Sequence, residues 1–485
     1  MPRRVGAWGT LKTRGGRDTP VPAFDLVVRN GLLVRAGGSF EADVYVSDGR
    51  IAAVSKSASA ARQAGRAVDA RGALVLPGLI DSHVHFRDPG MTQKEDFVSG
   101  SRGAAAGGVT AVFDMPTTLP VVTDVARFER KVAALEGRSF VDYALYAAAG
   151  PGNIDQLGPL ASAGAVAFKT YAVAPPPERE GEYEGAFVRD SGELFQVMDA
   201  VSKTGLVHCI HAEDNGAVRF LSRKMREEGR KDPMAHYDSR PNFTEGVSVF
   251  QAAAFAEATG TRLHVAHMST GEAVAAVADA KRRGAAVTAE TCPHYLWFTK
   301  EALLKFGPYA KYNPPPRTRR DVDALWRGVR EGAVDIVVTD HAPHSEEEKK
   351  AGFEDIAKAP SGTPGVELRL PFMLTNGERR GLSVADVVRT TSTAVARIFG
   401  VGDRKGDVKR GLDADLVLVD RKKEWTVRAE ELQTKARSMV LFDGVRMKGR
   451  VRATILRGET VYEDGVGFTG PSGSMMLGQK ARGPS

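Results

Sequence analysis

Between residues 74 and 399 the chain alternates short apolar runs with longer stretches of helical periodicity, and that alternation leaves few folds open. The runs fall at 74–81, 109–114, 141–146, 166–170, 206–211, 262–267, 286–291 and 335–340. Helical patterns lie between most of them, as at 191–203, 245–258, 272–283 and 321–330, with a last one at 384–399. Strands that alternate with helices pair in parallel through crossover connections. Eight such units predict an α/β chain whose centre is a (β/α)8 barrel, a TIM barrel.

Both ends of the chain carry a different pattern. Residues 24–75 hold short β-runs punctuated by Asn30-Gly31 and Asp48-Gly49, dipeptides suited to two-residue hairpin turns because both positions accept positive φ. Similar runs return at 415–419, 451–456 and 460–462. This predicts one small β-sandwich assembled from both termini, residues 24–77 plus 401–466, around a barrel of residues 78–400. Residues 1–23, with Arg3, Arg4, Lys12, Arg14 and Arg17 against Asp18 alone, read as a basic flexible extension, and the Gly/Ser-rich residues 467–485 as a flexible tail.

The 67 basic residues are interspersed with 60 acidic ones, so the net +7 forms no nucleic-acid footprint. Two cysteines, Cys209 and Cys292, make no disulfide framework, and no apolar stretch reaches the length of a membrane span. These features predict a cytoplasmic protein that contacts neither nucleic acid nor membrane.

In a barrel, chemistry sits where the strands end. The first strand ends in Asp81-Ser-His83-Val-His85-Phe-Arg87, and residues two apart on an extended chain point the same way, so His83 and His85 can share one metal ion. The pair is not diagnostic alone. It gains weight from Lys169 at the end of the fourth run, His211 at the fifth, His267 at the sixth and Asp340 at the eighth. Alone, Lys169 also reads as a strand-end lysine whose ammonium reaches solvent. His208 and His264 stand three residues before a ligand candidate and face away from it. His294, after the seventh run, reads equally as support for the site or as packing.

These motifs, in order and in kind, resemble the amidohydrolase superfamily, in the branch of dihydroorotases, hydantoinases and allantoinases, from about Asp25 to Asp464. The resemblance implies a hydrolase of carbon–nitrogen bonds in cyclic amides that binds two zinc ions. It implies that His83, His85 and Asp340 hold the first and His211 and His267 the second. Lys169, carboxylated by carbon dioxide, and a hydroxide would bridge them. A lysine ammonium has no lone pair, whereas a carbamate is an anion with one oxygen for each ion. Asp340 would also be catalytic, moving a proton from the nucleophile to the leaving nitrogen.

Substrate choice rests on residues around the metals. Arg87 can clamp a carboxylate in bidentate fashion, or instead pair with Asp88 or Glu95. Asn313 and His344 match dihydroorotase residues that contact the ring amide and the carboxylate end. Thr117 stands where dihydroorotases usually hold asparagine, leaving a hydroxyl to bind substrate. The oxyanion tyrosine of many hydantoinases would fall at Ala174, while residues 230–245 look like allantoinases. The reading is a dihydroorotase interconverting N-carbamoyl-L-aspartate and L-dihydroorotate in pyrimidine biosynthesis. The alternative is an allantoinase or a hydantoinase/dihydropyrimidinase, and the third reading is a non-catalytic scaffold. The resemblance further implies a homo-oligomer, dimer or tetramer, with a pathway enzyme as a further partner. Residues 174–186, rich in Pro, Glu and Gly, are either a lid over the site or a passive insertion.

Overall fold

The computed structural model describes residues 23–55, 64–175 and 177–482, so the basic extension expected at 1–23 lies outside the described residues apart from Ala23. Eight parallel strands follow one another in chain order: β1 (Leu79–Val84), β2 (Val109–Asp114), β3 (Asp142–Ala148), β4 (Ala167–Tyr171), β5 (Val207–His211), β6 (Arg262–Val265), β7 (Val287–Thr291) and β8 (Ile336–Val337). The ring closes just past β8, where Val84 forms a parallel bridge with His341 and the His85 N–H donates to the His341 carbonyl at 2.8 Å. Their near-continuous runs of Val, Ala, Leu and Ile fit strands covered on both faces. Helices cover the outside, several opened by side-chain caps such as Asp124, Asp190, Asp214 and Thr270.

The last helical stretch is continuous but irregular. A π turn at Arg389–Thr393 separates Val384–Val388 from Ala394–Ile398, and Ser392 within it donates to the Gly78 carbonyl at 2.7 Å. That glycine is where the structure departs from the sequence reading of a single first strand at 74–81. Leu74–Pro77 belongs to the other sheet, pairing with Leu32–Leu33 on one side and Leu416–Val419 on the other. The barrel begins only after Gly78, where a Cβ would stand 2.0 Å from the Thr110 hydroxyl.

Nine strands from both ends of the described chain make the second sheet. Leu26, Val28, Val44 and Val46 meet Leu416, Leu418 and Ile455 in a core separate from the barrel's. Asp48 and Gly49 both take positive φ between Gly38–Ser47 and Arg50–Ser55, as the hairpin reading requires. Asn30-Gly31 differs. Its left-handed Asn30 sits at a break in register inside one long strand, Phe24–Arg35, and makes a bulge instead of a turn.

The tail from Gly467 is not loose as far as Arg482. Gly473 N–H donates to Ser139, Met476 N–H to Tyr143 and Gly478 N–H to Gly164, and Met476 is buried. The glycines that read as disorder allow this close packing, because Cβ atoms at Gly473 and Gly478 would lie 1.9 and 2.0 Å from the Val141 and Ala165 carbonyl oxygens. No helix among the described residues is long and apolar enough to cross a membrane.

Candidate metal centre and active site

The strand-end residues converge at one mouth. His83 Nε2 and His85 Nε2 stand 3.3 and 3.4 Å from Asp340 Oδ1, and the three ligand atoms lie within 4.8 Å of one another. His211 Nδ1 lies 3.1 Å from His267 Nε2, and the His83 and His267 rings are 5.2 Å apart between centroids, so both pairs border one space. Arg87, His267 and Asp340 all hold positive φ without being glycine, a cost that persists where surrounding structure enforces it.

Burial favours the neutral form of three of these imidazoles, leaving lone pairs available. His85 is lowered to about 3, and His211 and His267 are also lowered, each chiefly by burial. Burial pushes Asp340 the other way, but His83, His85 and His267 outweigh it and hold its carboxyl well below the usual range. Neutral imidazoles facing a carboxylate are a donor set for a divalent cation.

Lys169 fits the same purpose only when modified. It is fully buried, with Nζ 3.9 Å from Cys209 Sγ and 5.0 Å from the centre of the Tyr171 ring. Among the described residues no carboxylate lies within 4.0 Å of it. An ammonium there is an uncompensated buried charge, while a carbamate is an anion facing the imidazoles.

Two ligand candidates, His83 and His211, have a buried carboxylate as outer partner. Glu290 accepts from His83 Nδ1 in a short hydrogen bond, and Glu213 lies 2.7 Å from His211 Nε2, itself paired with Arg240. Burial raises both carboxyls, but the adjacent imidazoles, and Arg240 at Glu213, bring each well below the ordinary range. His83, Cys209 and Glu290 also bring three ligand atoms together. The His83–Glu290 hydrogen bond accounts for that grouping, and burial pushes the Cys209 thiol up to about 12, so it stays protonated.

The substrate residues stand differently from expectation. Thr117 places its hydroxyl 3.1 Å from His85 Nδ1, supporting a ligand instead of standing free for substrate. Arg87, 4 % exposed, donates through Nε to the Pro343 carbonyl at 3.2 Å, and its Nη2 meets His344 Nε2 at 3.2 Å. Asp88 instead takes Arg138 and the Phe97 N–H, and Glu95 takes Ser99, His341 and Thr434. Asn313 Oδ1 accepts from Ser361 at 3.0 Å. His208 bonds Thr170 and His264 bonds Thr288 and Glu290, both turned from the mouth, and His294 stacks on Tyr312 at 4.5 Å.

Residues 177–183 form a short 3-10 segment beside the mouth. Tyr183 packs edge-on against Tyr171, whose centroid is 4.8 Å away, and Glu182 joins Arg179 at 2.5 Å and Lys94 at 3.9 Å. Sequence reasoning assigned no role to Glu213 or Glu290. A charged residue inside an apolar strand, as in Val287-Thr-Ala-Glu-Thr, was the available signal, since such a group is buried only with partners.

The amidohydrolase family matches residues 74–461, and the chain belongs to it. An allantoinase of Rubrobacter xylanophilus is 40% identical over 463 residues, covering 95% of this chain and 99% of that one. An L-hydantoinase of Paenarthrobacter aurescens is 34% identical, covering 91% and 95%. The structure of an L-hydantoinase (dihydropyrimidinase) from Arthrobacter aurescens superposes with a TM-score of 0.88 at 34% identity, covering 94% of this chain and 100% of that one. Within the family the chain falls in the cyclic amidohydrolase branch and is a hydrolase of carbon–nitrogen bonds in cyclic amides.

Proposed function

We propose that the protein is an allantoinase, opening the ring of allantoin by hydrolysis of a cyclic amide bond. The observation that carries this is the convergence of His83, His85 and Asp340 on one point, in a chain related over nearly its full length to allantoinases of several bacteria. The dihydroorotase reading gives way. The relatives that cover nearly the whole chain are allantoinases and an L-hydantoinase, and Thr117, where dihydroorotases usually hold asparagine, turns its hydroxyl to His85. With it go the assignments to pyrimidine biosynthesis and to N-carbamoyl-L-aspartate.

In this reading His83, His85 and Asp340 would hold one divalent ion and His211 and His267 a second, and Lys169, once carboxylated, would supply further oxygen donors. Zinc suits the nitrogen and oxygen donors. Bound there, such ions acidify water and polarise the amide carbonyl. Asp340 takes the proton of the attacking water and delivers it to the ring nitrogen as the carbon–nitrogen bond breaks. Glu290 and Glu213 keep His83 and His211 turned toward the mouth. Arg87 and His344 border the substrate, Asn313 contributes its side-chain amide, and residues 177–183 shield the reacting bond from bulk water. The chain acts in the cytoplasm as a homo-oligomer, which light scattering on the purified protein checks.

Parallel hydrolysis of allantoin, dihydrouracil and L-dihydroorotate by zinc-reconstituted protein tests the assignment. Preference for allantoin supports it. Preference for dihydroorotate, lost in Arg87→Ala, restores the dihydroorotase reading. Preference for dihydrouracil makes the protein a hydantoinase.

A further inference from the structure

Glu290 lies beneath the mouth on β7, with no exposed surface, and one carboxylate serves three groups. Its Oε1 accepts from His83 Nδ1 and from the backbone N–H of His267 at 3.2 Å, and its Oε2 stands 3.1 Å from His264 Nε2. Beyond it, His264 Nδ1 meets the Thr288 hydroxyl at 2.8 Å, which is turned toward the Leu263 carbonyl at 3.3 Å.

A carboxylate can only accept, so the contact with Glu290 fixes a proton at His83 Nδ1 and leaves Nε2, which faces Asp340, as the nitrogen available to a metal ion. Among the described residues no other ligand candidate is held in this way by a group that also reaches the opposite half. His85 faces the Thr117 hydroxyl, which can donate or accept. His211 is fixed by Glu213, which touches neither His83 nor His267. His267 has no side-chain partner at Nδ1 and a left-handed backbone, φ 34°, and the carboxylate at its N–H is Glu290.

We propose that Glu290 is the positioning residue common to both halves of the centre: it sets the tautomer of His83 and the backbone of His267 together, so that the two metal affinities depend on one buried carboxylate. Glu213 serves one half alone. The inference rests on the two-ion reading above.

Glu290→Gln is the informative change because it is nearly isosteric. Its amide oxygen can stay on His83 and His267 if its NH2 faces His264, whose proton then moves to Nδ1 and donates to Thr288. The amide is a weaker acceptor than the carboxylate, so the fold is kept and the ligands are held less firmly. Apo protein is titrated with zinc against a chromogenic chelator, with metal content read by mass spectrometry and the apo fold by circular dichroism. The expected result is a native apo spectrum with both zinc affinities reduced by about 10–100-fold, while Glu213→Gln weakens one ion only. Parent affinities in Glu290→Gln, or loss confined to one ion, overturn the proposal. A parent that never takes two ions overturns the two-ion reading itself. Nitrogen-15 NMR of histidine-labelled apo parent gives a second test that does not depend on the variant folding: a proton on His83 Nδ1 is expected, and an unprotonated Nδ1 contradicts the proposal.

Discussion

The floor of the mouth and its rim are built from the same strand ends but differ in what sequence spacing says about them. On the floor, His83, His85, Lys169, His211, His267 and Asp340 gather where the strand order places them. Each is fixed by the position of its strand in a closed ring, so spacing alone locates it. On the rim, Arg87, Thr117, Asn313 and His344 are also nearby, yet what each does depends on its partner. Thr117 belongs to His85, and Arg87 to Pro343 and His344. Strand periodicity says where a side chain points and not which neighbour takes its hydrogen bond.

The contrast predicts graded losses. Asp340→Asn is the most severe, because it removes the proposed metal ligand and proton acceptor together: kcat should fall by about 10³-fold or more, with reduced zinc content. Lys169→Ala follows, losing zinc retention at both ions and most activity, with partial rescue by small carboxylic acids that supply the missing bridging oxygens. Persistence of two tightly bound ions in Lys169→Ala would break the account of the floor.

Thr117→Val separates floor from rim. As the partner of His85 its loss lowers zinc affinity by about tenfold with little change in KM at saturating metal, and Thr117→Ser restores it. A raised KM with unchanged zinc affinity would return Thr117 to the substrate. Arg87→Ala has a smaller effect, raising KM for allantoin by about tenfold through loss of the support under His344. A complete loss of turnover would mean that Arg87 binds charge developed in the reaction.

The smallest effect concerns apo stability and pH. Burial holds His208 at about 3 and His294 at about 4 in the folded chain, against 6.5 when exposed. The unfolded chain therefore binds protons first as pH falls below 6.5, and these groups remove stability down to about pH 3. Glu245 and Glu367, raised to about 7 by burial, act in the opposite sense between pH 4.5 and 7. His85, His211, His236, His267 and His344, also lowered by burial, act with His208 and His294 and outnumber the two glutamates, so the apo melting temperature should fall as pH drops below 6.5. A melting temperature unchanged from pH 7 to 4.5 would contradict these shifts.

Much of the fold was legible for the same reason as the floor. The eight runs were placed within a residue or two, apart from the first, which straddles Gly78, and the sixth and eighth, where Arg262–Val265 and Ile336–Val337 end before His267 and Asp340 leave strand geometry. Gly473 and Gly478 escaped detection because composition cannot tell a glycine needed for close packing from one that loosens a chain. Glu290 escaped because its partners, His83 on β1 and His264 and His267 on and just past β6, lie far from it in sequence.

The central claim is that the mouth binds two ions and uses them on allantoin, and a zinc titration of apo protein, with allantoin hydrolysis followed at each addition, tests it most directly. The account predicts activity that rises to a plateau at two equivalents per chain. A plateau at one equivalent, or two bound equivalents without allantoin hydrolysis, would contradict it.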